Sequence, residues 1–147
     1  MTTPLETRHR LNVLLIDDSE DDRSAYGDVL TEAGFSVREV TDPWSAYQQA
    51  VADLPAIIVA DIRMPGPLDG IELTRKLKSN KATRAIPIII LTGYSGDDTL
   101  ADALRAGAAL FLTKPCAPDV LLVAIRRLLA APNSSDPVEP ADSSGRA

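Results

Sequence analysis

Cysteine and histidine each occur once, aromatic residues make up only 4% of the chain, and no Lys/Arg cluster breaks an excess of acids. The single cysteine, Cys116, cannot form an internal disulfide. It is consistent with a reducing compartment and reads as a small core residue without a chemical role. The one histidine, His9, stands in the leading segment. The formal net charge is -6, from 15 Lys plus Arg against 21 Asp plus Glu. That balance, with no basic patch, argues against a nucleic-acid partner and implies cations or basic partners instead. No apolar run approaches the roughly 18 residues of a membrane span, and "MTTPLETRHR" lacks the apolar segment of a signal peptide. A cytoplasmic protein without membrane contact is expected. Neither G-x-x-x-x-G-K-[ST] nor G-x-G-x-x-G occurs, which argues against a nucleotide-binding module.

What is present fits one compact domain: 147 residues, 45% of them hydrophobic, are enough for one core and hardly for two. "NVLLID", "AIIVAD", "IPIIILT" and "LFLT" are short continuous apolar runs, the pattern of central parallel strands buried on both faces. "FSVREV" mixes charge with apolar residues and suits an edge strand. Between the runs lie helical periods. Tyr26, Val29, Leu30 and Ala33 form one stripe, with Gly34 as its C-terminal signal. A second helix opens at "DPW", with Asp42 as N-cap, Pro43 in the first turn, and Trp44, Tyr47, Val51 and Leu54 as its apolar stripe. Ile71, Thr74 and Leu77 mark a third helix, Leu100, Ala103 and Leu104 a fourth, and "PDVLLVAIRRLLAA" a fifth.

Five strands alternating with five helices imply a doubly wound α/β sandwich over residues 11–131, since parallel neighbours require crossover helices. Residues 1–10 are expected to be a flexible leader. Residues 132–147 have three prolines, four serines and no aromatic, the composition of a disordered tail.

Ligands of open α/β sheets bind beyond the carboxyl ends of the strands. Asp17 and Asp18 end the first run, Asp61 the third strand and Thr92 the fourth, and Lys114 follows the fifth. Taken singly, each has a plain structural reading as turn former, cap or surface residue. Their joint occurrence at successive strand ends points to a site. "LLIDDSEDDR" places five acids within six positions. Glu20, Asp21 and Asp22 complement a helix dipole as a solvated first turn, which leaves Asp17 and Asp18 to explain. Clustered carboxylates repel unless a cation sits among them, and oxygen donors without histidine or thiol favour Mg²⁺ over zinc or copper. A cation and carboxylates facing a hydroxyl and an ammonium form a phosphoryl-transfer arrangement whose product is an aspartyl phosphate.

"LLIDD", "VADIRMPGPLDG", "ILTGYS" and "FLTKP", in this order and spacing, resemble the response-regulator receiver domain of two-component signalling over roughly residues 11–131. The resemblance implies a flavodoxin-like fold with a five-stranded parallel sheet in the order 2-1-3-4-5. It also implies Asp61 as phosphoacceptor, and Mg²⁺ held by Asp17, Asp18, Asp61 and the backbone carbonyl of Arg63. Thr92 would then be the switch hydroxyl, Lys114 the phosphate-contacting ammonium, Phe111 the switch aromatic, and Lys114–Pro115 a cis bond. Partners would be a sensor histidine kinase or histidine phosphotransfer protein and a downstream protein target. A homodimer through the fourth helix, fifth strand and fifth helix would also be compatible with the family. "MPGPLDG" carries one residue more than the common "MPxMDG", so a repositioned loop is expected, and Cys116 stands where Phe is common.

Two other readings compete. A phosphatase of the haloacid dehalogenase kind needs a general acid two residues after its nucleophile, but Arg63 follows Asp61 at that distance and Ser19 follows Asp17. A pseudo-receiver binding partners without phosphorylation would be expected to lack Asp61 or Lys114, and both are present. The expectation is therefore a single-domain signalling protein, not an enzyme, whose output is protein contact. Arg63 and Tyr94 would flank the phosphoryl group and restrict attacking water.

Overall fold

The computed structural model describes residues 10–64, 66–93 and 96–130. His9, Tyr94 and the expected tail at 132–147 lie outside them, as does all of the expected leader except Arg10. Five strands, β1 (Asn12–Ile16), β2 (Ser36–Val40), β3 (Ile57–Ala60), β4 (Ile88–Thr92) and β5 (Leu110–Thr113), alternate with five helices. The helices are α1 (Glu20–Glu32), α2 (Pro43–Asp53), α3 (Gly70–Ser79), α4 (Asp97–Ala106) and α5 (Pro118–Ala130). All strand pairs are parallel and the order is β2-β1-β3-β4-β5, the flavodoxin-like arrangement.

Alternation along the strands splits the core in two. Leu14, Ile16, Ile58, Ala60, Ile88 and Ile90 face Ala46, Ala50, Leu73, Leu77 and Ala103 from α2, α3 and α4. Val13, Leu15, Ile57, Val59, Ile89 and Leu91 face Tyr26, Leu30, Leu121 and Ile125 from α1 and α5. Both faces are dry, which is why the strand sequences are unbroken apolar runs.

"LFLT" departs from the expectation of a central strand. β5 is the second edge, paired only with β4, and its apolar residues are half-buried. Phe111 packs against one core cluster while Leu110 and Leu112 pack against the other. An apolar run thus records coverage of two faces, not the number of neighbouring strands.

Two helical stripes also differ from expectation. On α2 the buried residues are Pro43, Ala46 and Ala50, whereas Trp44 and Leu54 are each 52% exposed and Val51 is exposed as well. On α4 Ala103 and Ala106 are buried, and Leu100 and Leu104 are exposed. Small residues let a helix approach the sheet closely, so alanine takes the inner face and the bulky residues on either side of it are turned outward. Trp44 stacks on Tyr47 with ring centroids 5.8 Å apart, and the Lys76 ammonium lies 5.0 Å from the Tyr47 ring centroid.

Polar side chains start three helices, Asp42 being the cap expected from the sequence. Ser19 caps α1 by accepting from the Asp22 N–H, and Asp42 caps α2 by accepting from the Ser45 N–H. Asp69 and Glu72 form a reciprocal capping box on α3. Among the described residues no helix is long and apolar enough to cross a membrane.

The loop from β3 to α3 is pinned at both ends. Gly70 N–H donates to the Ile62 carbonyl at 2.8 Å, and a Cβ at Gly70 would stand 2.0 Å from the Asp61 carbonyl oxygen. No side chain fits there. The added length is accommodated further out, where Gly66 takes φ of +104° and, with Pro67 and Leu68, adjoins Asp42, Pro43 and Trp44. Gly70→Ala is therefore expected to cost about 3 kcal/mol or more, because the obstruction is backbone and cannot rotate away. A urea-denaturation midpoint close to that of the unaltered chain would show that α3 can shift outward freely.

Candidate functional site

Main-chain hydrogen bonds carry the sheet pattern one residue past the strands and set the site residues side by side. Asp17 N–H donates to the Val40 carbonyl, Asp61 N–H to Ile16 and Lys114 N–H to Thr92. Asp17 and Asp61 therefore emerge from neighbouring strands at the same level, and Lys114 follows beyond β4. Register pairs Ile90 with Phe111, so Thr92, two residues beyond Ile90, lies on the same sheet face as Phe111. The Lys114–Pro115 bond is cis.

The side chains converge. Lys114 Nζ donates to Asp22 Oδ2 at 2.6 Å, Asp17 Oδ2 at 2.7 Å and Asp61 Oδ2 at 3.1 Å. The other oxygen of Asp17 accepts from the Ser19 N–H, and that of Asp61 from the Ile62 N–H. Asp17, Asp18 and Asp61 can each present one carboxylate oxygen within 4.8 Å of the others. Asp18, Asp61, Arg63, Thr92 and Gly93 line an open cleft of about 380 Å³. Among the described residues, Gly66–Leu68 are not part of that lining.

Electrostatics explain how these groups coexist. Burial by itself would depress the Lys114 ammonium, but the hydrogen bonds it donates to Asp17, Asp22 and Asp61 hold it well above the ordinary lysine value. Burial likewise pushes the Asp17 carboxyl up, and the Lys114 and Ser19 hydrogen bonds only partly offset this. A hard divalent cation would meet hard oxygen donors at Asp17, Asp18 and Asp61, a donor set that fits Mg²⁺.

Asp22 is the residue that sequence reading missed. Assigned there to a solvated first turn, it does sit in the first turn of α1, but its carboxylate also binds Lys114. Its partner stands 92 positions away, so nothing local signals the pairing. Two more residues position the site. Arg23 Nη1 donates to the Asp17 carbonyl at 2.8 Å, and Tyr26 Oη donates to the Cys116 carbonyl at 2.8 Å, tying α1 to the end of β1 and to the segment after Lys114. Tyr26 was legible only as part of an apolar stripe.

The chain belongs to the response regulator receiver domain family, whose model matches residues 13–126. It is therefore a signalling module of the two-component type, a family of phosphoacceptors. It is 40% identical over 117 residues to the C4-dicarboxylate transport transcriptional regulatory protein DctD of Pseudomonas aeruginosa, covering 80% of this chain and 25% of that protein. It is 34% identical over 134 residues to the response regulator PleD of Caulobacter vibrioides, covering 91% of this chain and 29% of PleD. The chain thus spans between a quarter and a third of these relatives. Chemotaxis protein CheY4 of Vibrio cholerae superposes with a TM-score of 0.75 at 27% identity, over 80% of this chain and 98% of that one. The receiver domain of sensor histidine kinase PA1611 from Pseudomonas aeruginosa superposes with a TM-score of 0.76 at 27% identity, over 83% and 99% of the two chains. That structure has a magnesium ion coordinated in its active-site cleft.

The raised Asp17 carboxyl has a consequence for stability. A carboxyl whose folded-state value lies above its unfolded one favours folding below the unfolded value, and that contribution is lost as pH rises through the folded value. At neutral pH ionised Asp17 therefore opposes folding. Asp17→Asn is expected to stabilise the metal-free protein by about 1 kcal/mol at pH 7, since the desolvated charge is removed while Lys114 keeps two partners. The advantage should shrink as pH falls toward the ordinary carboxylate range. Urea titrations in chelator check this, and a destabilised variant would mean that the Lys114 contact outweighs the burial cost.

Proposed function

We propose that Asp61 accepts a phosphoryl group from the phosphohistidine of a sensor histidine kinase or histidine phosphotransfer protein, and that the acyl phosphate changes which proteins the domain binds. An Asp61 carboxylate oxygen attacks phosphorus, the phosphorus–nitrogen bond breaks, and the departing imidazole takes up a proton. The observation that carries this reading is the convergence of Asp17, Asp18 and Asp61 oxygens within 4.8 Å, with the Lys114 ammonium 3.1 Å from Asp61.

Asp17, Asp18, Asp61 and the Arg63 carbonyl would hold Mg²⁺, which when bound neutralises charge on the phosphoryl oxygens. Lys114 neutralises a further oxygen, and the Thr92 hydroxyl donates to another. Arg63 and Tyr94, two residues beyond Asp61 and Thr92, restrict attacking water. Neither is the carboxylate or imidazole that would ordinarily activate water, so hydrolysis of the acyl phosphate is expected to be slow. The alternative of a phosphate-independent binding module gains no support from a site in which Asp61 and Lys114 are joined.

Thr92, drawn toward the phosphoryl group, vacates space into which Phe111 turns, altering the face formed by α4, β5 and α5. Leu100 and Leu104 on α4 and Val120 and Val123 on α5 are exposed large apolar residues on two of these elements, which supports contact with a downstream protein target or a second copy. The shift needs little energy, since about 1.4 kcal/mol of differential affinity changes the active population tenfold. A cytoplasmic site of action goes with this reading.

Acetyl phosphate with Mg²⁺ is expected to add one phosphoryl mass, read by intact-mass spectrometry, and both Asp61→Asn and EDTA should abolish the gain. Undiminished labelling of Asp61→Asn removes the acceptor assignment, and full labelling in chelator removes the metal. Lys114→Ala should keep the circular dichroism of the fold yet lose the phosphorylation-linked amide shifts around Phe111. An unfolded Lys114→Ala would instead make Lys114 a structural residue.

A further inference from the structure

Lys114 binds two carboxylates that the metal needs and one that it does not. Asp17 and Asp61 belong to the group able to surround an ion, while Asp22 lies outside it. The three also differ in setting: the side chains of Asp17 and Asp61 are 4% and 12% exposed, and that of Asp22 is 37% exposed at the solvent edge. A divalent cation and the Lys114 ammonium both draw on the carboxylates of Asp17 and Asp61. When those carboxylates turn to the metal, the ammonium needs another anion within reach. Asp22 already holds it, at the shortest of the three distances, 2.6 Å. Its backbone is fixed by the Ser19 cap, so the carboxylate is presented from a rigid first turn.

We infer that Asp22 is a positioning residue for Lys114. It retains the ammonium while Asp17 and Asp61 take up the metal, and restrains it from reaching toward a phosphoryl group on Asp61. This rests on the phosphoacceptor reading above. The two effects have opposite signs. Without the Asp22 charge, Lys114 has only the metal's own ligands to bind, so the metal must displace it entirely and Mg²⁺ binds more weakly. The same loss frees Lys114 for an anion seated on Asp61, so beryllofluoride, a phosphoryl stand-in, binds more tightly once Mg²⁺ is saturating. A merely structural residue would weaken both.

The experiment compares the unaltered chain with Asp22→Asn, Asp22→Glu and Asp21→Asn. Asp21→Asn is the control for overall charge, since Asp21 is an exposed neighbour in the same helical turn. Calorimetry with Mg²⁺ alone is expected to show Asp22→Asn weakened about fivefold, against a much smaller change for Asp21→Asn. Asp22→Glu, which keeps the charge, should recover most of the loss. Beryllofluoride titrations at saturating Mg²⁺, followed through the Ile62 amide that donates to Asp61, should show Asp22→Asn tighter than the unaltered chain. If Asp22→Asn matches Asp21→Asn in Mg²⁺ affinity, or weakens both ligands alike, the positioning role is wrong while the phosphoacceptor reading stands. If the unaltered chain takes up neither Mg²⁺ nor beryllofluoride, both fall together.

Discussion

Three aspartates from β1, α1 and β3 meet one ammonium at the carboxyl end of the sheet, and the surrounding structure is organised to make that meeting tolerable. Asp17 is nearly buried, so its charge is costly; Lys114 is largely buried, so its own charge would be costly too. Each offsets the other's desolvation, and main-chain N–H groups at Ser19 and Ile62 take the carboxylate oxygens that Lys114 leaves over. The cluster still carries more negative than positive charge. That imbalance is the setting in which Asp17, Asp18 and Asp61 could hold a divalent cation, which would relieve the repulsion concentrated there.

Such an arrangement requires a rigid base, which the sheet supplies. Both faces of β1, β3 and β4 are sealed, and their hydrogen-bond pattern runs past the last strand residues to Asp17, Asp61 and Lys114 themselves. Asp17 and Asp61 are therefore extensions of the most buried part of the molecule, and Lys114 extends the edge strand beside it. α1 contributes twice to the same end, once through Arg23 on the Asp17 carbonyl and once through Tyr26 on the Cys116 carbonyl. The site is thereby braced from the first and the last strand together.

Much of this was legible in the sequence because the relevant signals are local. Continuous apolar runs locate doubly covered strands, Asp42–Pro43 announces a helix start, and an Asp, Thr or Lys directly after a run is placed by the strand that precedes it. The strand order and the gathering of Asp17, Asp18, Asp61 and Lys114 at one end followed from those signals and from the family resemblance. What escaped depends on distances that no local pattern encodes. The outward turn of Trp44, Val51, Leu100 and Leu104 follows from how closely α2 and α4 approach the sheet on their alanines. The apolar run "LFLT" alone reads as a central strand, and its edge position came only from the strand order that the family resemblance implies. Asp22 had a sufficient local explanation in the helix dipole, and only its distant lysine shows that it has another.

The chain holds one tryptophan, and its position has an optical consequence. Trp44 is half exposed, stacked on Tyr47, and adjoins Gly66, Pro67 and Leu68, the outer part of the lengthened loop that leads from Asp61 to α3. Its indole is thus the one tryptophan fluorophore, beside the segment most directly tethered to Asp61, and it is not among the residues lining the acidic cleft. Excited at wavelengths that only an indole absorbs, beyond the range of the three tyrosines, emission from this chain reports the local polarity around that loop without an attached dye.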